Sequence, residues 1–427
     1  MGSKESDLLA SLLDVYSGLG KRGKPLTHEH TSLAGISVEF SSSYYDVSMV
    51  GKNIFLAIAS GTKCIPVSGR NPRGFALHDG HGEILARRIM LRWLIDEIKS
   101  VYNGDESLVV CIQEGNACVS LRGGVCFNLI VTSPPCGDCA ILSDQSGEYS
   151  NKRHRTGAKV VKSPSEIPVA TVVENYDSYQ ESGVVRRKPG RGEPTSSVSC
   201  SDKILKWNIL GFQGCLLKSL MNESLYFSDI TIAYVKDGQG QPSSFASHAV
   251  QRALWKRAFS DIPEGVSSYF SQTPPKIHAV IVSREIMHKH GLLQSETRSS
   301  SAGVSAMWWA KPSYEWNLRG NNTSSQIPKG DKNYCEIIVG KTGYKMGSPK
   351  VMPADDMHLA ERFSSRFSRA AIRKQIEDVL RTKGIRFESE LPYNDFKAVL
   401  CPEYTDTWRK LKSPPLLFSK WIIKNAN

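Results

Sequence analysis

No stretch of this sequence approaches the roughly 18 uninterrupted apolar residues that a membrane-spanning helix requires. The opening residues, Met1 to Asp14, mix acids with short apolar stretches and contain no apolar core of a secretory leader. The ten cysteines lack the regular spacing of a disulfide framework. Cys111, Cys118 and Cys126 lie in apolar runs, where a free thiol behaves as a small hydrophobe. No internal repeat is visible. These absences argue against a membrane span, a disulfide-stapled scaffold and a repeat array. They lead us to expect a soluble protein of a reducing compartment, nucleus or cytoplasm, with no membrane partner.

What is present is a chain of 427 residues, 40% hydrophobic and 22% charged. That is enough for one large embellished domain or two small ones. Lysine and arginine outnumber acids 54 to 42, a formal net charge of +12. Such a surface favours a polyanionic partner, because each phosphate neutralised releases a condensed counterion.

Periodicity predicts a helix over Asp7–Leu19, interrupted by Gly20–Lys24, and a first strand over Ile54–Ser60. A strong helix follows His81, with apolar positions at Ile84, Leu85, Met90, Leu91, Leu94, Ile95 and Ile98, stopped by Gly104. Further strands are expected at Val109–Ile112, Cys126–Val131, Leu225–Val235, Ile277–Val282 and Cys335–Val339. Helices are expected from Cys200 through Met221 and over Phe363–Lys383. Polar stretches around 145–197 and 295–325 read as surface insertions. Alternating strands and helices predict an α/β domain with helices covering a sheet. Residues 1–50 read as a helical extension packed on a core spanning 51–427.

The chemistry concentrates in two places. His81-Gly82-Glu83 opens the strong helix, and Pro135-Cys136-Gly137-Asp138-Cys139 ends a strand where a helix is expected to begin. In that order they match the H-x-E…P-C-x-x-C pattern of zinc-dependent nucleobase deaminases. A catalytic zinc takes three protein ligands and keeps a fourth position for water, whose pKa it lowers. Imidazole and thiolate suit zinc, and a carboxylate two residues from the histidine can shuttle a proton without ligating the metal. His81 and Cys136 are two ligands, and Glu83 is the shuttle. For the third, spacing favours Cys139; Cys200, at the head of another predicted helix, is the alternative. Nothing in the spacing selects adenosine over cytidine.

At these residues the chain resembles the eukaryotic tRNA-specific adenosine deaminases, relatives of the editing deaminases that act on double-stranded RNA. The resemblance is carried by GTKCI at Gly61–Ile65, HDGHGEILARR at His78–Arg88, SPPCGD at Ser133–Asp138, RTGAK at Arg155–Lys159 and SCSDKILKWNILGFQG at Ser199–Gly214. The start, YSGLGKRGKP, is also similar, and the match extends to the C-terminus. Two letters depart from the family: Gly82 stands where alanine is usual, and His78 where asparagine is common.

The resemblance implies a cytidine-deaminase-like core, a mixed sheet flanked by helices, extended into one large editase domain. It moves the third zinc ligand to Cys200, giving His81, Cys136 and Cys200, and leaves Cys139 beside the site. Thr62 and Lys63 become candidate substrate contacts. It also implies buried inositol hexakisphosphate, whose phosphates need many donors. The matching positions are Ile84, Arg87, Arg88, Lys203, Lys206, Lys350, Tyr393, Lys397, Tyr404, Trp421 and Lys424, with Lys410 a further candidate.

With a first strand at Ile54, no separate RNA-binding module is expected ahead of the catalytic domain, and no obligatory protein partner. A small folded RNA with an unpaired target base fits that economy. The resemblance implies conversion to inosine of the adenosine 3′ of the anticodon in alanine tRNA. The basic runs Lys152–Lys159 and Arg186–Arg191 are candidate contacts to tRNA phosphates. The competing readings are a deaminase of messenger or double-stranded RNA that acts with a partner, and an inactive RNA-binding module.

Overall fold

The computed structural model describes residues 3–41, 45, 49–113, 118–141, 156–163, 181–190, 192–235, 244–259, 273–316, 334–353 and 355–422. A mixed sheet of seven strands forms its centre, flanked by helices. In chain order these strands are β1 (Leu33–Phe40), β2 (Asn53–Ser60), β5 (Val125–Val131), β6 (Phe227–Val235), β7 (Lys276–Val282), β8 (Val304–Trp309) and β9 (Cys335–Val339). Two short strands outside this sheet, β3 (Thr62–Cys64) and β4 (Asp79–His81), pair with each other. Across the sheet the order is β7-β6-β5-β1-β2-β8-β9. The β7/β6 and β6/β5 pairs are parallel, and the other four are antiparallel.

The sheet begins earlier than the expected first strand at Ile54. β1 occupies its centre, with Gly35 opposite both Ile58 and Ile130. Its run LAGISVEF is buried on both faces except at Glu39, so it lacks the alternation that marks a half-exposed strand. Helix α1 (Lys4–Gly18) buries Leu8, Leu9, Leu12, Leu13, Val15 and Tyr16. A Cβ on Gly35 would stand 2.7 Å from the Phe55 ring and 2.8 Å from Leu12, so glycine lets α1 approach the sheet.

Helix α2 (Gly82–Tyr102) packs on β1, β2 and β8 through residues such as Leu85, Ile89, Trp93 and Ile98. The segment after Cys200 divides into α3 (Cys200–Leu210) and α4 (Gly214–Lys218), because Gly211 takes φ +82° and turns the chain. The helix expected over Phe363–Lys383 starts only at Arg369, capped by Ser368, and runs to Thr382; Phe363 instead ends a separate helix, Met357–Phe363.

Both polar stretches hold more core than their composition suggests. Within 295–325, β8 joins β2 to β9, and Met307 is fully buried. Within 145–197, Arg186 and Arg187 pair with Val160 and Lys159 and are both buried. They are therefore not presented to surface phosphates. Lys152–Arg155 and Arg191 lie outside the described residues. Among the described residues, no helix is long and apolar enough to cross a membrane.

Candidate active site

The site forms where three segment ends meet. β3 and β4 pair antiparallel, placing Thr62 opposite His81 and Cys64 opposite Asp79. A Cβ on Gly61 would lie 2.0 Å from the carbonyl oxygen of Gly80, so only glycine permits this pairing. His81 then caps α2, which fixes Glu83 in its first turn. Cys200 opens α3 behind Ser199, whose Oγ accepts the Asp202 N–H at 3.2 Å and donates to Asp202 Oδ2 at 2.6 Å.

Cys136 follows β5 on a loop, with only a single 3-10 turn, Asp138–Ala140, after it. The expected helix dipole at this cysteine is thus supplied from elsewhere. The Cys200 N–H, at the start of α3, donates to Cys136 Sγ at 3.4 Å. Ser201 ties loop to helix, donating to the carbonyls of Pro135 and Cys136 and accepting the Cys139 N–H. Gly137, at φ +103°, passes where a Cβ would lie 2.2 Å from Ser199 Oγ. Behind the loop, Arg252 pairs with Asp138 at 3.1 Å and Arg257 with Asp202 at 2.8 Å.

The result gathers His81, Cys136 and Cys200, all donor atoms lying within 4.8 Å of one another. His81 Nδ1 is 3.5 Å from Cys200 Sγ and 4.0 Å from Cys136 Sγ. Tetrahedral zinc at its usual bond lengths separates nitrogen and sulfur donors by about 3.6 Å. Cys139 is fully buried outside this group, and burial pushes its thiol far up. Cys64, Asp79 and His81 form a second close group, but Asp79 is already engaged by two lysines.

Lys188, which the sequence placed only within the basic run Arg186–Arg191 expected to face tRNA phosphates, is 1% exposed. Its Nζ donates to Asp79 at 3.0 and 2.9 Å and to Cys200 Sγ at 3.1 Å. Burial opposes this ammonium, but Asp79 and the sulfurs of Cys200 and Cys136 hold it well above its usual range. Burial would likewise raise Asp79; Lys188 and Lys203 outweigh it and hold the carboxyl well down. A hydrogen bond from Cys200, aided by Lys188 and His81, keeps the Cys136 thiol low against burial, whereas burial and Cys136 itself push Cys200 up. Burial and Lys188 depress His81, yet Cys136 and Cys64 bring it to about 10. One imidazole and two sulfurs are donors that a metal can hold by displacing their protons. Glu83 is buried, which raises its carboxyl, and its Oε2 lies 3.4 Å from Cys200 Sγ.

Lys203 also donates to Asp79, leading from the donor set toward a cluster of cations. Arg87 donates to the Phe212 carbonyl at 2.6 Å and stacks over Trp207; Arg88 donates to the Phe367 carbonyl at 2.6 Å. Burial brings both guanidiniums down to about 10, a shift that side chains snorkelling into water would not show. Lys206 sits 3.6 Å above Trp408, with Tyr404 and Trp421 at 5.9 and 5.5 Å. Burial, then Lys397, Arg87 and Lys412, hold its ammonium well below the usual range. Lys397 lies over Tyr393, and Ile84 is buried in the adjoining core.

Among the described residues, no carboxylate forms an ion pair with Arg87, Arg88, Lys206 or Lys397. Lys350 is exposed, and Lys424 lies outside the described residues. Lys410 is exposed and pairs with Asp406; it is Lys412 that faces Trp408. Thr62 Oγ1 is buried without a partner, and Lys63 lies where a Gly340 Cβ would be 3.2 Å away.

Comparison with known proteins agrees with this chemistry. A tRNA-specific adenosine deaminase from Drosophila melanogaster is 35% identical over 256 residues, 57% of each chain. Another from Macaca fascicularis is 25% identical over 528 aligned positions, covering 98% of this chain and 97% of its own. A double-stranded RNA-specific adenosine deaminase from Mus musculus is 28% identical over 242 residues, 54% of this chain but 19% of its own. The chain thus spans little more than half the fly relative's length and about a fifth of the mouse protein's. The sequence model of the adenosine-deaminase (editase) domain matches residues 57–425, and this chain belongs to that family.

Proposed function

We propose that this protein converts adenosine to inosine in tRNA by zinc-dependent hydrolysis. The observation that carries the reading is the meeting of His81, Cys136 and Cys200 beside the buried Glu83. The family is zinc-dependent, and one imidazole with two sulfurs at these separations fits that metal. Held by His81, Cys136 and Cys200, zinc would supply the Lewis acidity that makes a water a nucleophile near neutral pH. Glu83 takes a proton from that water and returns it to the purine ring nitrogen and the departing amine, so that water and adenosine become inosine and ammonia. Lys188 and Asp79 hold Cys200 in place from behind. The unpartnered Thr62 hydroxyl, across from His81, offers a hydrogen bond to the substrate nucleoside, and Lys63 a charge to its phosphate.

The cationic cluster fits inositol hexakisphosphate, since buried guanidiniums and ammoniums without carboxylates call for a polyanion. Arg87, Arg88, Lys203, Lys206, Tyr393, Lys397, Tyr404 and Trp421 are the residues that would hold it. The catalytic domain is a cytidine-deaminase-like core into which the N-terminal residues are woven.

The substrate we favour is the adenosine 3′ of the anticodon in alanine tRNA, an unpaired base that is cheap to extrude. Near-complete mutual coverage with the macaque tRNA-specific relative favours tRNA over double-stranded RNA. Inosine mapping in tRNA from cells lacking the protein tests this. Loss of inosine at that position is expected, and unchanged alanine tRNA would overturn it.

A further inference from the structure

Two cysteines that this chemistry does not use meet at the seam between α4 and the C-terminal helices. Cys215, in α4, is buried. Its Sγ lies 3.3 Å from the Lys397 carbonyl, 3.9 Å from that of Cys401 and 3.8 Å from Thr405 Oγ1. These contacts place Cys215 Sγ against the Cys401 backbone, beside that residue's own thiol. Cys401 is half-buried at the joint between helices Tyr393–Leu400 and Pro402–Leu411. The Cys215 hydrogen bond, helped by the Tyr404 N–H, opposes burial and lowers the Cys401 thiol. Cys401 is the more exposed of the two, so it is the thiol an oxidant in solution reaches first, with the buried Cys215 behind it.

We propose that Cys401 is an oxidant-reactive thiol and that Cys215 resolves it, closing a reversible disulfide between α4 and the C-terminal helices. With a hydroperoxide, the Cys401 thiolate attacks one peroxide oxygen and the O–O bond breaks. In the case of hydrogen peroxide, the departing hydroxide takes a proton and leaves as water. The Cys215 thiol then attacks the resulting sulfenic sulfur, and its proton leaves with the hydroxyl as a second water. Two thiols supply two electrons to one peroxide, so the step balances.

The location gives the bond a consequence. Gly214, beside Cys215, stands where a Cβ would be 2.7 Å from the Arg87 guanidinium. The helix after Cys401 carries Tyr404 and Trp408 onto Lys206. The disulfide would fasten two walls of the cationic cluster together. This holds whether or not the protein is a tRNA deaminase.

The test titrates the full-length, zinc-loaded protein with hydrogen peroxide, blocks remaining thiols by alkylation and maps peptides by mass spectrometry. At the lowest effective peroxide, the expected product is a 215–401 linked peptide lacking two hydrogens, reversed by dithiothreitol. In the Cys215→Ser variant, dimedone should instead trap a sulfenic acid at Cys401. Prior oxidation of other cysteines, or an oxidised Cys401 in the unmutated protein with no link to Cys215, would overturn the proposal.

Discussion

Glu83 and Lys188 approach the same sulfur, Cys200 Sγ, at 3.4 and 3.1 Å. Their roles differ, so their variants should separate. Glu83→Gln keeps the shape but holds no transferable proton. Its turnover should fall by about 10²–10⁴-fold while bound zinc, measured by elemental analysis, stays at the level of the unmodified protein. Lys188→Met leaves the sulfur without its ammonium. Chelator competition should then show zinc held about 10–100-fold more weakly; unchanged retention would remove Lys188 from the site. The two residues also differ in how far the sequence reveals them. Glu83 stands two positions from His81 at a helix start, a pattern with a chemical reason. Lys188 sits in RRKPG, whose composition is that of a surface loop, and only tertiary pairing buries it. Counting along the chain favours Cys139 over Cys200, because spacing does not register that the α3 N-terminus reaches Cys136 from 64 residues away.

At the scale of elements, α2 is legible from its apolar repeat, and its first residue has a tight fit the sequence does not announce. By sequence alone, Gly82 merely lacks the methyl of the alanine usual at this position. Its Cβ position, however, is 2.8 Å from the Ala59 carbonyl oxygen, 3.2 Å from that of Ser32 and 3.3 Å from the Ala34 nitrogen. These are backbone atoms around the central strands and cannot rotate away. Gly82→Ala should therefore destabilise the fold by about 1–3 kcal/mol, seen as a lower melting temperature; a higher one would mean that the strands yield. β2, β5, β6 and β7 were readable as apolar runs. β1 and β8 escape because LAGISVEF has both faces buried, and VSAMWW is surrounded by the serines and charges of its neighbours. The break after Leu210 escapes for a different reason: apolar periodicity continues across the turn that Gly211 makes at φ +82°.

For the whole molecule, the net charge of +12 divides between surface and interior. The interior share, around Arg87, Arg88 and Lys206, cannot persist unscreened. Protein purified without denaturant should carry about one hexakisphosphate per chain, detectable by phosphate analysis after acid extraction, as expected for a structural ligand. Stripped of it, the chain should lose its cooperative melt, and a ligand-free preparation that melts sharply would contradict this. The central claim is tested most directly by incubating the purified, zinc-loaded protein with alanine tRNA and measuring inosine, with Glu83→Ala alongside. The account predicts inosine at the adenosine 3′ of the anticodon and none from the variant. Equal inactivity of both proteins on every tRNA tried would contradict it.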